Sequence, residues 1–530
     1  MTLILTSLIL SAILSWWMVR LYWPMAELIG LVDNPDATRK LHKKAIPLVG
    51  GISFLSAILV SIPLVVFLEK TVPGFFHWGD GVINSISPRK LPSVSIGHFR
   101  QTDVLELTGL VVGSVFLLLV GVMDDWKGIR GRHKLVGQIV AATILMLFGF
   151  QFESVQFAGM NIKFGVFAGI LIYLWMLAAI NSVNLLDGAD GIATTIGIIM
   201  TLAMGVMLLA QGRGIDCVIM FSLSGALIAF LTYNFPPAKV YLGDAGSMVI
   251  GFILAAMAIR STFKQNSMYA FMAPVALLAI PFLDTGAAII RRRLTGRSLF
   301  SVDRGHLHHS LLEKGYSPVA SIVWVALFCL ITAVGGVLAL LKRDSEIALA
   351  AIGLVVLMMA GARLFGFAEL KLASRKAYGI GKSFLPGGQQ LARETMKEST
   401  YHVQGERDWE TCWASLKAYA LENNFLEMTL DLNAPWIHEA FHAKMKGTEK
   451  VRESNYIWSS SVPLVFKNRI FGKVDFSCSK DSRSHHLIIA DILELTRTIE
   501  ESLSEAPADA ENPDESEKLA LAEPGESSTS

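Results

Sequence analysis

The composition of this 530-residue chain is that of a membrane protein rather than a soluble one. Hydrophobic residues make up 52% of the sequence and charged residues only 17%, whereas a soluble domain is about one quarter charged. The formal net charge of +1 gives the whole chain no electrostatic preference for nucleic acid, so no nucleic-acid partner is expected. The four cysteines form no CxxC pair, which argues against a disulfide framework and a zinc site.

Eleven apolar segments are long enough, or nearly long enough, to cross a bilayer core, which takes about 20 helical residues. They lie near residues 3–23, 49–69, 104–122, 136–151, 164–180, 192–210, 215–232, 245–262, 269–290, 319–341 and 346–366. The first segment lacks a basic n-region and a small-residue cleavage site, so we interpret it as a retained helix rather than a signal peptide. The fold class predicted for this part is a polytopic α-helical membrane protein with about eleven transmembrane helices.

The loops that follow the odd-numbered segments share one side of the membrane. Together they contain these basic residues: Arg39, Lys40, Lys43, Lys44, Lys127, Arg130, Arg132, Lys134, Lys239, Arg291, Arg292, Arg293, Arg297 and Arg304. The loops of the other side are short, apart from residues 70–103. The positive-inside bias therefore predicts that the odd loops and the C-terminal region face the cytoplasm.

The sequence changes character after residue 366. Residues 367–503 alternate helical patterns, such as 409–423, with strand-like ones, such as 425–432 and 464–476, which predicts a cytosolic accessory α/β domain. Residues 504–530 contain eight acidic residues and no aromatic residue, which predicts a disordered acidic tail. The chain is thus divided into a transmembrane domain (1–366), the accessory domain and the tail.

One polar stretch, NSVNLLDGADG, joins two apolar segments. Its residues Asn181, Asn184, Asp187 and Asp190 recur at every third position, so they fall roughly on one face of a helix or tight turn. The stretch contains no Lys or Arg, and carboxylates next to hydrocarbon are costly unless they meet water, each other or a cation. The alternative is a solvated loop with Asx turns.

Two further acidic motifs stand at the ends of apolar segments. Asp124 and Asp125, in GVMDDWKG, are a carboxylate pair of the kind that holds a hard cation or acts as a base. Asp244, in VYLGDAGS, lies between two glycines at the start of a segment, where a helix N-terminus favours an anion. The alternatives are an unremarkable acidic pair and a helix cap by Asp244.

Two basic stretches complete the pattern. Lys43 and Lys44 precede a Gly-Gly pair in RKLHKKAIPLVGGI, which suits either phosphate binding or positive-inside anchoring. His306, His308 and His309 follow a run of arginines that includes Arg304. Zinc spacing is absent there, and histidine with arginine suits a pyrophosphate.

Acidic and basic clusters on one membrane face predict a shared site in which carboxylates hold Mg²⁺ and basic groups hold phosphates. Phosphoryl transfer needs this equipment, because its catalysis is mainly positioning and charge stabilisation. A transporter would instead place polar residues near the bilayer midplane and show an inverted repeat. A receptor that works through its C-terminal domain would lack acidic clusters in its membrane loops.

Five motifs in order resemble those of the polyprenyl-phosphate N-acetylhexosamine-1-phosphate transferases: IPLVGGI, VGVMDD, NSVNLLDGADGIA, YLGDAGS and DRGHLHH. The resemblance covers roughly residues 1–365 and is closest to the bacterial branch that uses UDP-GlcNAc and undecaprenyl phosphate. That branch starts O-antigen, enterobacterial common antigen or teichoic-acid linkage synthesis. The HLHH form is similar to the HIHH of the GlcNAc branch rather than the HHH of the MurNAc-pentapeptide branch.

The resemblance implies transfer of GlcNAc-1-phosphate from UDP-GlcNAc to undecaprenyl phosphate, which gives polyprenyl-pyrophosphoryl-GlcNAc and UMP. The alternative donors are other UDP-N-acetylhexosamines. It implies Mg²⁺, with Mn²⁺ as an alternative, on Asp244 and Asn184. The implied catalytic residues are Asp124, Asp125, Asp187, Asp190, His306, His308 and His309. The implied substrate-binding residues are Lys43, Lys44, Asn181, Asn184, Asp187, Arg304 and His306.

Within that set, Asp124 or Asp125 would be the base near the lipid phosphate or, in an older proposal, a nucleophile. A phosphate monoester has a second pKa of about 6 and is already anionic at neutral pH, so we favour direct attack. The implied location is the bacterial inner membrane, with the site and the C-terminal domain in the cytosol. A homodimer and downstream glycosyltransferases bound by the C-terminal domain are candidate partners.

Overall fold

The computed structural model describes residues 1–34, 45–86, 101–151, 154–157, 160–165, 167–261, 267–295, 306–362, 364, 398–404, 409–423, 425–434, 439–446, 457–466, 469–479 and 485–504. The chain forms two compact units, of which the first is mainly Met1–Glu369 and the second mainly Leu370–Ser530. The predicted boundary at residue 366 falls outside the described residues, so the division into domains stays a prediction. The predicted tail, except Ser504, also lies outside them.

Helices dominate the described part of the first unit. They are α1 (Thr2–Ile29), α2 (Gly50–Thr71), α3 (Pro73–Ile86), α4 (Gln101–Lys127), α5 (Gly131–Leu147), α6 (Phe167–Leu186), α7 (Ile192–Ala210), α8 (Gly214–Asn234), α9 (Gly243–Ser261), α10 (Met268–Leu277), α11 (Ala279–Thr295), α12 (Leu307–Glu313), α13 (Pro318–Lys342) and α14 (Ser345–Gly361). Two antiparallel strand pairs accompany them: β1 (Val32–Asp33) with β2 (Ile46–Pro47), and β3 (Ser154–Phe157) with β4 (Met160–Lys163).

Among the described residues, eight helices are long and apolar enough to cross a membrane, or nine if the bent pair α10–α11 is one span. The prediction of a polytopic helical membrane protein is confirmed at this level. The predicted count of eleven also needs α5 and α14, which have 17 residues each. That count therefore stays a prediction.

The structure corrects two features of the predicted topology. Residues 269–290 were expected to form one segment, but α10 and α11 meet at a bend of 69°. Pro281 lies just after the break: it has no N–H to bond the carbonyl of Leu277, and in a continuous helix its ring would clash with that carbonyl. The stretch expected as a long loop, 70–103, contains α3, whose Asp80 accepts hydrogen bonds of 2.8 Å from the amine of Met1 and the backbone N–H of Thr2.

Helix α9 is the centre of the first unit. Of its 18-residue apolar window, 89% is buried, against 33% for α1. It packs on α4, α6 and α2, while α8 packs on α1 and α7. Small residues allow these close approaches, as where Gly225 of α8 meets the backbone of Leu8. Side chains on α1 such as Trp17 remain exposed, as expected of a surface that faces lipid.

A buried ion-pair network joins the C-terminal end of α9 to the N-terminal ends of α4 and α8. Arg260 is 1% exposed and contacts Asp216 at 2.8 Å, Asp103 at 3.1 Å and Glu106. Arg213 contacts the second oxygen of Asp216 at 2.7 Å. Charges taken out of water are stable only when paired and hydrogen-bonded, so this network fixes three helices relative to one another.

Replacement of Arg260 by Met is expected to lower the free energy of unfolding by about 3–5 kcal/mol, because buried carboxylates then lose their counter-charge. The measurement is denaturant-induced unfolding in detergent, followed by tryptophan fluorescence. Arg213→Gln is the control, because the Arg213 side chain is 26% exposed and the expected loss is about 1 kcal/mol or less. Equal losses in the two variants would contradict a central role for Arg260.

The described part of the second unit contains one antiparallel sheet and two helices. The strands are β5 (Glu398–Gln404), β6 (Glu427–Ala434), β7 (Glu439–Lys446), β8 (Ile457–Phe466) and β9 (Arg469–Ser479), in the order β5-β7-β6-β9-β8. The helices are α15 (Trp409–Glu422) and α16 (His485–Ser504). Alternate strand residues such as Leu430, Phe441 and Val474 pack in one core with Trp413 and Ile488 of the helices.

Helix α15 matches the helical pattern predicted at 409–423, and β6 lies close to the strand predicted at 425–432. The strand-like pattern predicted at 464–476 covers parts of two adjacent antiparallel strands, the end of β8 and most of β9. The two strands have similar apolar alternation, so a strand-like pattern alone does not separate them.

Candidate active site

The N-terminus of α9 is the meeting point of the acidic motifs. Asp244 lies in the first turn of α9, Asp124 and Asp125 in the last turn of α4, and Asn184 in the last turn of α6. Three helix ends therefore bring side chains from three separate motifs to one place. The first-loop motif joins them, because Gly50 and Gly51 donate backbone hydrogen bonds of 3.1 and 3.2 Å to the carbonyls of residues 241 and 242.

Lys134, at the start of α5, bridges two of these carboxylates. Its Nζ lies 2.5 Å from Asp124 Oδ2 and 2.5 Å from Asp244 Oδ2. The other oxygen of Asp244 accepts a hydrogen bond of 2.5 Å from Asn184 Nδ2, which also donates to Ser247 Oγ at 2.9 Å. Asp244 is thus held on both oxygens by charged or polar donors, as charge-assisted hydrogen bonds require.

Asp125 caps α9 from a different helix. Its Oδ1 accepts the backbone N–H of Asp244 at 2.8 Å, and its Oδ2 accepts that of Ala245 at 3.1 Å. The first N–H groups of a helix have no partner within the helix, and a carboxylate there also meets the positive end of the helix dipole. The sequence alternative that Asp244 caps its own helix is therefore corrected: Asp125 caps it, and the side chain of Asp244 remains in the polar cluster.

Close glycine contacts set the positions of these helices. A Cβ added to Gly51 of α2 would lie 2.6 Å from the backbone N of Gly246, and one added to Gly121 of α4 would lie 2.3 Å from Cα of Ala245. Helices α2 and α4 thus approach the backbone of α9 where Asp244 stands. These contacts explain the glycines of the IPLVGGI, VGVMDD and YLGDAGS motifs.

Asp187 and Asp190 occupy the turn between α6 and α7. Asp190 Oδ2 accepts the backbone N–H of Ala238 at 2.9 Å. The pKa of Asp187 is raised well above its usual value, first by burial and then by the negative charges of Asp244, Asp125 and Asp190. A carboxylate in such surroundings gains charge readily only when a cation joins it.

The HLHH stretch lies against the same turn. His308 is buried, and its Nε2 would lie 2.8 Å from a Cβ added to Gly188, between the two acids. Its ring is parallel to that of His306, with centroids 6.0 Å apart, and lies 4.2 Å from that of His309. Burial, helped by His309 and His306 and opposed by Asp284, lowers the pKa of His308 to about 3. His308 is therefore neutral at physiological pH.

His306 is bound to a carboxylate that sequence reasoning did not select. Oδ2 of Asp284, in α11, lies 2.8 Å from His306 Nδ1. The other oxygen, Oδ1, accepts a hydrogen bond of 2.8 Å from the backbone N–H of Leu307. Lys134 and Gln138 were also missed as site residues. Both residues lie on α5, just after the Asp124–Asp125 motif. The sequence could have indicated only Lys134 as a site residue, because its positive charge can pair with the two acids.

The structure does not place all predicted residues in contact with the cluster. The Asn181 amide exchanges two hydrogen bonds with Gln138, at 2.7 and 3.2 Å, and donates to the carbonyl of Leu177. Its polar atoms are thus engaged within the helix bundle. Lys43, Lys44 and Arg304 lie outside the described residues.

The donor set fits a divalent cation bound together with a phosphate. Among the residues that the structure describes, no three His, Cys, Asp or Glu side chains form a metal-binding group by themselves. Mg²⁺ needs only one or two protein carboxylates when phosphate oxygens and waters supply the rest. The Lys134 ammonium between Asp124 and Asp244 shows that their oxygens already converge on a cation.

Comparison with known proteins gives one family and several relatives. A model described as glycosyl transferase family 4 matches residues 107–262. The probable undecaprenyl-phosphate N-acetylglucosaminyl 1-phosphate transferase of Bacillus subtilis is 29% identical over 315 residues, 58% of this chain and 77% of that relative. The decaprenyl-phosphate N-acetylglucosaminephosphotransferase of Mycobacterium tuberculosis is 30% identical over 355 residues, 63% and 81% respectively. The undecaprenyl-phosphate alpha-N-acetylglucosaminyl 1-phosphate transferase of Escherichia coli is 27% identical over 322 residues, 59% and 78%.

Gly121→Ala is expected to lower the free energy of unfolding by about 1–3 kcal/mol, because its methyl group would overlap the backbone of α9. The measurement is the melting temperature in detergent. Gly353→Ala in α14 is the matched control, since a Cβ there meets nothing within 4 Å. An unchanged melting temperature for Gly121→Ala would show that α4 does not need its close approach to α9.

Proposed function

The chain belongs to the family of polyprenyl-phosphate N-acetylglucosamine-1-phosphate transferases, as its five motifs predicted, and we propose on this premise the reaction that its site performs. The enzyme transfers GlcNAc-1-phosphate from UDP-GlcNAc to undecaprenyl phosphate in the first membrane step of a cell-surface polysaccharide. The observation that carries the proposal is the convergence of Asp124, Asp125, Asn184 and Asp244 at the N-terminus of α9, around Lys134.

The reaction is a single displacement at phosphorus. An oxygen of the lipid phosphate attacks the phosphorus that bears the sugar and forms the new P–O bond. The bond from that phosphorus to the bridging oxygen breaks, and UMP leaves with the electron pair. The products are undecaprenyl-pyrophosphoryl-GlcNAc and UMP, so no atom or electron is left unbalanced.

The hydrogen bonds of the two adjacent acids support direct attack. Both oxygens of Asp125 accept backbone N–H groups of α9. Asp124 accepts the N–H of Ile129 at 2.8 Å on one oxygen and pairs with Lys134 on the other. Neither carboxylate is arranged as a nucleophile, and the lipid phosphate is itself anionic. Asp125 positions Asp244 by capping its helix, while Asp124 and Lys134 stand beside the reacting phosphates.

Asp244, with Asn184, would hold Mg²⁺, or Mn²⁺ as the alternative. When bound, the cation supplies charge neutralisation for the phosphate oxygens. Asp187 and Asp190 bind the nucleotide side of the donor, and Lys134 turns its ammonium from the carboxylates towards a phosphate. His306, His309, Arg304, Lys43 and Lys44 contribute contacts to the pyrophosphate and sugar. Neutral His308 fills the space against Gly188.

The wider arrangement follows the sequence analysis. The chain crosses the bacterial inner membrane eleven times, with the site and the C-terminal α/β domain in the cytosol, where UDP-GlcNAc is available. The opposite face holds the amine of Met1 with Asp80, and the Arg260 network at the other ends of α4 and α9. The accessory domain provides a surface for downstream glycosyltransferases or for a second copy of the chain.

The direct test uses purified full-length protein with radiolabelled UDP-GlcNAc, undecaprenyl phosphate and Mg²⁺. A labelled lipid and an equal amount of UMP are expected, and both should vanish with EDTA. UDP-GalNAc, offered at the same concentration, tests the choice of sugar. Absence of labelled lipid from folded protein would overturn the proposed function, and UDP released instead of UMP would exclude this bond cleavage.

Asp244→Asn is expected to reduce turnover on the order of 100-fold or more, because it removes a charge from the centre of the phosphate site. The measurement is the lipid-linked product at saturating substrates over a range of Mg²⁺. Asp344→Asn is the matched control: Asp344 caps α14 through the N–H of Glu346, and asparagine caps equally well. Wild-type turnover of Asp244→Asn at limiting Mg²⁺ would contradict the metal assignment.

A chain truncated after residue 368 is expected to retain measurable transferase activity. All five motifs precede that point, and each spanning helix satisfies its own backbone hydrogen bonds in lipid. The measurement is lipid-linked product in membranes, corrected for the amount of inserted protein. A well-inserted but inactive truncation would mean that the accessory domain completes the site.

A further inference from the structure

A buried carboxylate outside the acidic cluster, Asp284, holds the HLHH stretch. It lies in α11, after the bend that separates α11 from α10, and is 1% exposed. Its two oxygens each accept one hydrogen bond of 2.8 Å from that stretch, one from His306 Nδ1 and the other from the backbone N–H of Leu307. Among the described residues neither Lys nor Arg pairs with it. A buried carboxylate is costly unless hydrogen-bonded, so both bonds stabilise this arrangement.

His306 is linked to the acidic cluster by a chain of neighbouring residues. Its ring is parallel to that of His308, with an angle of 3° between the planes. His308 in turn lies against Gly188, which follows Asp187 in the chain. A shift of His306 therefore moves the surface against which the α6–α7 turn packs.

The bond to Asp284 also decides which atom of His306 meets a ligand. A carboxylate only accepts, so His306 must donate from Nδ1, and Nε2 is the ring nitrogen left for a ligand. The backbone bond to Leu307 fixes the start of α12 at the same time. One carboxylate thus sets both the location and the tautomer of the ring.

We propose that Asp284 is a positioning residue of the transferase: it holds His306 so that Nε2 faces the phosphate oxygens of the nucleotide sugar. The inference rests on the proposed function, in which His306 contacts the pyrophosphate. Asp284 itself touches neither substrate nor cation, and it acts through His306 and the backbone of Leu307.

The kinetic test compares Asp284→Asn, His306→Ala and the double variant. The asparagine side chain has one acceptor oxygen, whereas His306 Nδ1 and the Leu307 N–H each need one. One of these two hydrogen bonds is therefore lost. We expect kcat and kcat/KM for UDP-GlcNAc to fall together, on the order of 100-fold in Asp284→Asn, as for a misplaced catalytic contact. The double variant should be no slower than His306→Ala alone, because the two residues act as one unit.

Thr285→Val is the matched control on the same helix. Its hydroxyl is buried and has no hydrogen-bond partner among the described residues, so wild-type kcat is expected. Melting temperatures in detergent separate loss of folding from loss of positioning. Wild-type kcat in Asp284→Asn, or losses that multiply in the double variant, would overturn the inference.

A second measurement depends on neither the reaction nor the folding of a variant at Asp284. ¹⁵N-histidine NMR of the wild-type protein in detergent, with His306 assigned by its absence in His306→Gln, reports the tautomer. A ring protonated at Nδ1 is expected, and a ring protonated only at Nε2 would overturn the inference. Failure of the proposed function looks different: no lipid-linked product forms from the wild-type protein, while the Nδ1 proton remains.

Discussion

The capping of α9 by Asp125 is the interaction on which the rest of the site depends. Helix α9 is the most enclosed of the candidate spans, and its first turn presents Asp244 where two other helices, α4 and α6, end. Its unpaired N–H groups need an acceptor that the lipid cannot supply, and Asp125 provides both oxygens. The same contact fixes α4 against α9, which brings Asp124 and Lys134 to Asp244. The contact that caps α9 is thus also the contact that assembles the site.

Excess negative charge is the second constraint. Burial, and then the neighbouring acids, raise the pKa of Asp187, while Lys134 is the described cation that contacts Asp124 and Asp244. Such a cluster is poorly stable by itself and favours any cation that enters with a phosphate. Under the proposed function, this is how a site of carboxylates would bind anionic substrates: the acids would bind the cation, and the cation with the basic groups would bind the phosphates. Of the histidines beside this cluster, His308 is neutral and His306 is held by Asp284.

Charged residues of opposite sign hold the two ends of α9 in place. Asp244 at its start joins the acidic cluster, and Arg260 at its end joins the buried acids of α4 and α8. Helix α4 takes part in both, with Asp124 and Asp125 at one end and Glu106 at the other. Because buried ion pairs have demanding geometry, α4 and α9 cannot slide along each other without breaking one set. The pair therefore acts as a rigid frame, and glycine contacts such as Gly121 with Ala245 keep the frame tight.

The sequence by itself determined the membrane class, the family and the identity of the acidic motifs, because hydrophobic length and local residue patterns need no partner to be recognised. It also indicated that Asp124, Asp125, Asn184 and Asp244 belong together, since all stand at ends of spans on one side. Only the tertiary structure decided which carboxylate caps α9, that Lys134 bridges two acids, that Asn181 pairs with Gln138, and that Asp284 holds His306. These assignments depend on contacts between residues far apart in the chain, such as the Asp125–Asp244 and Lys134–Asp244 pairs. The bend between α10 and α11 was missed because the apolar pattern continues through it, and β8 and β9 were not separated because both carry a strand-like alternation.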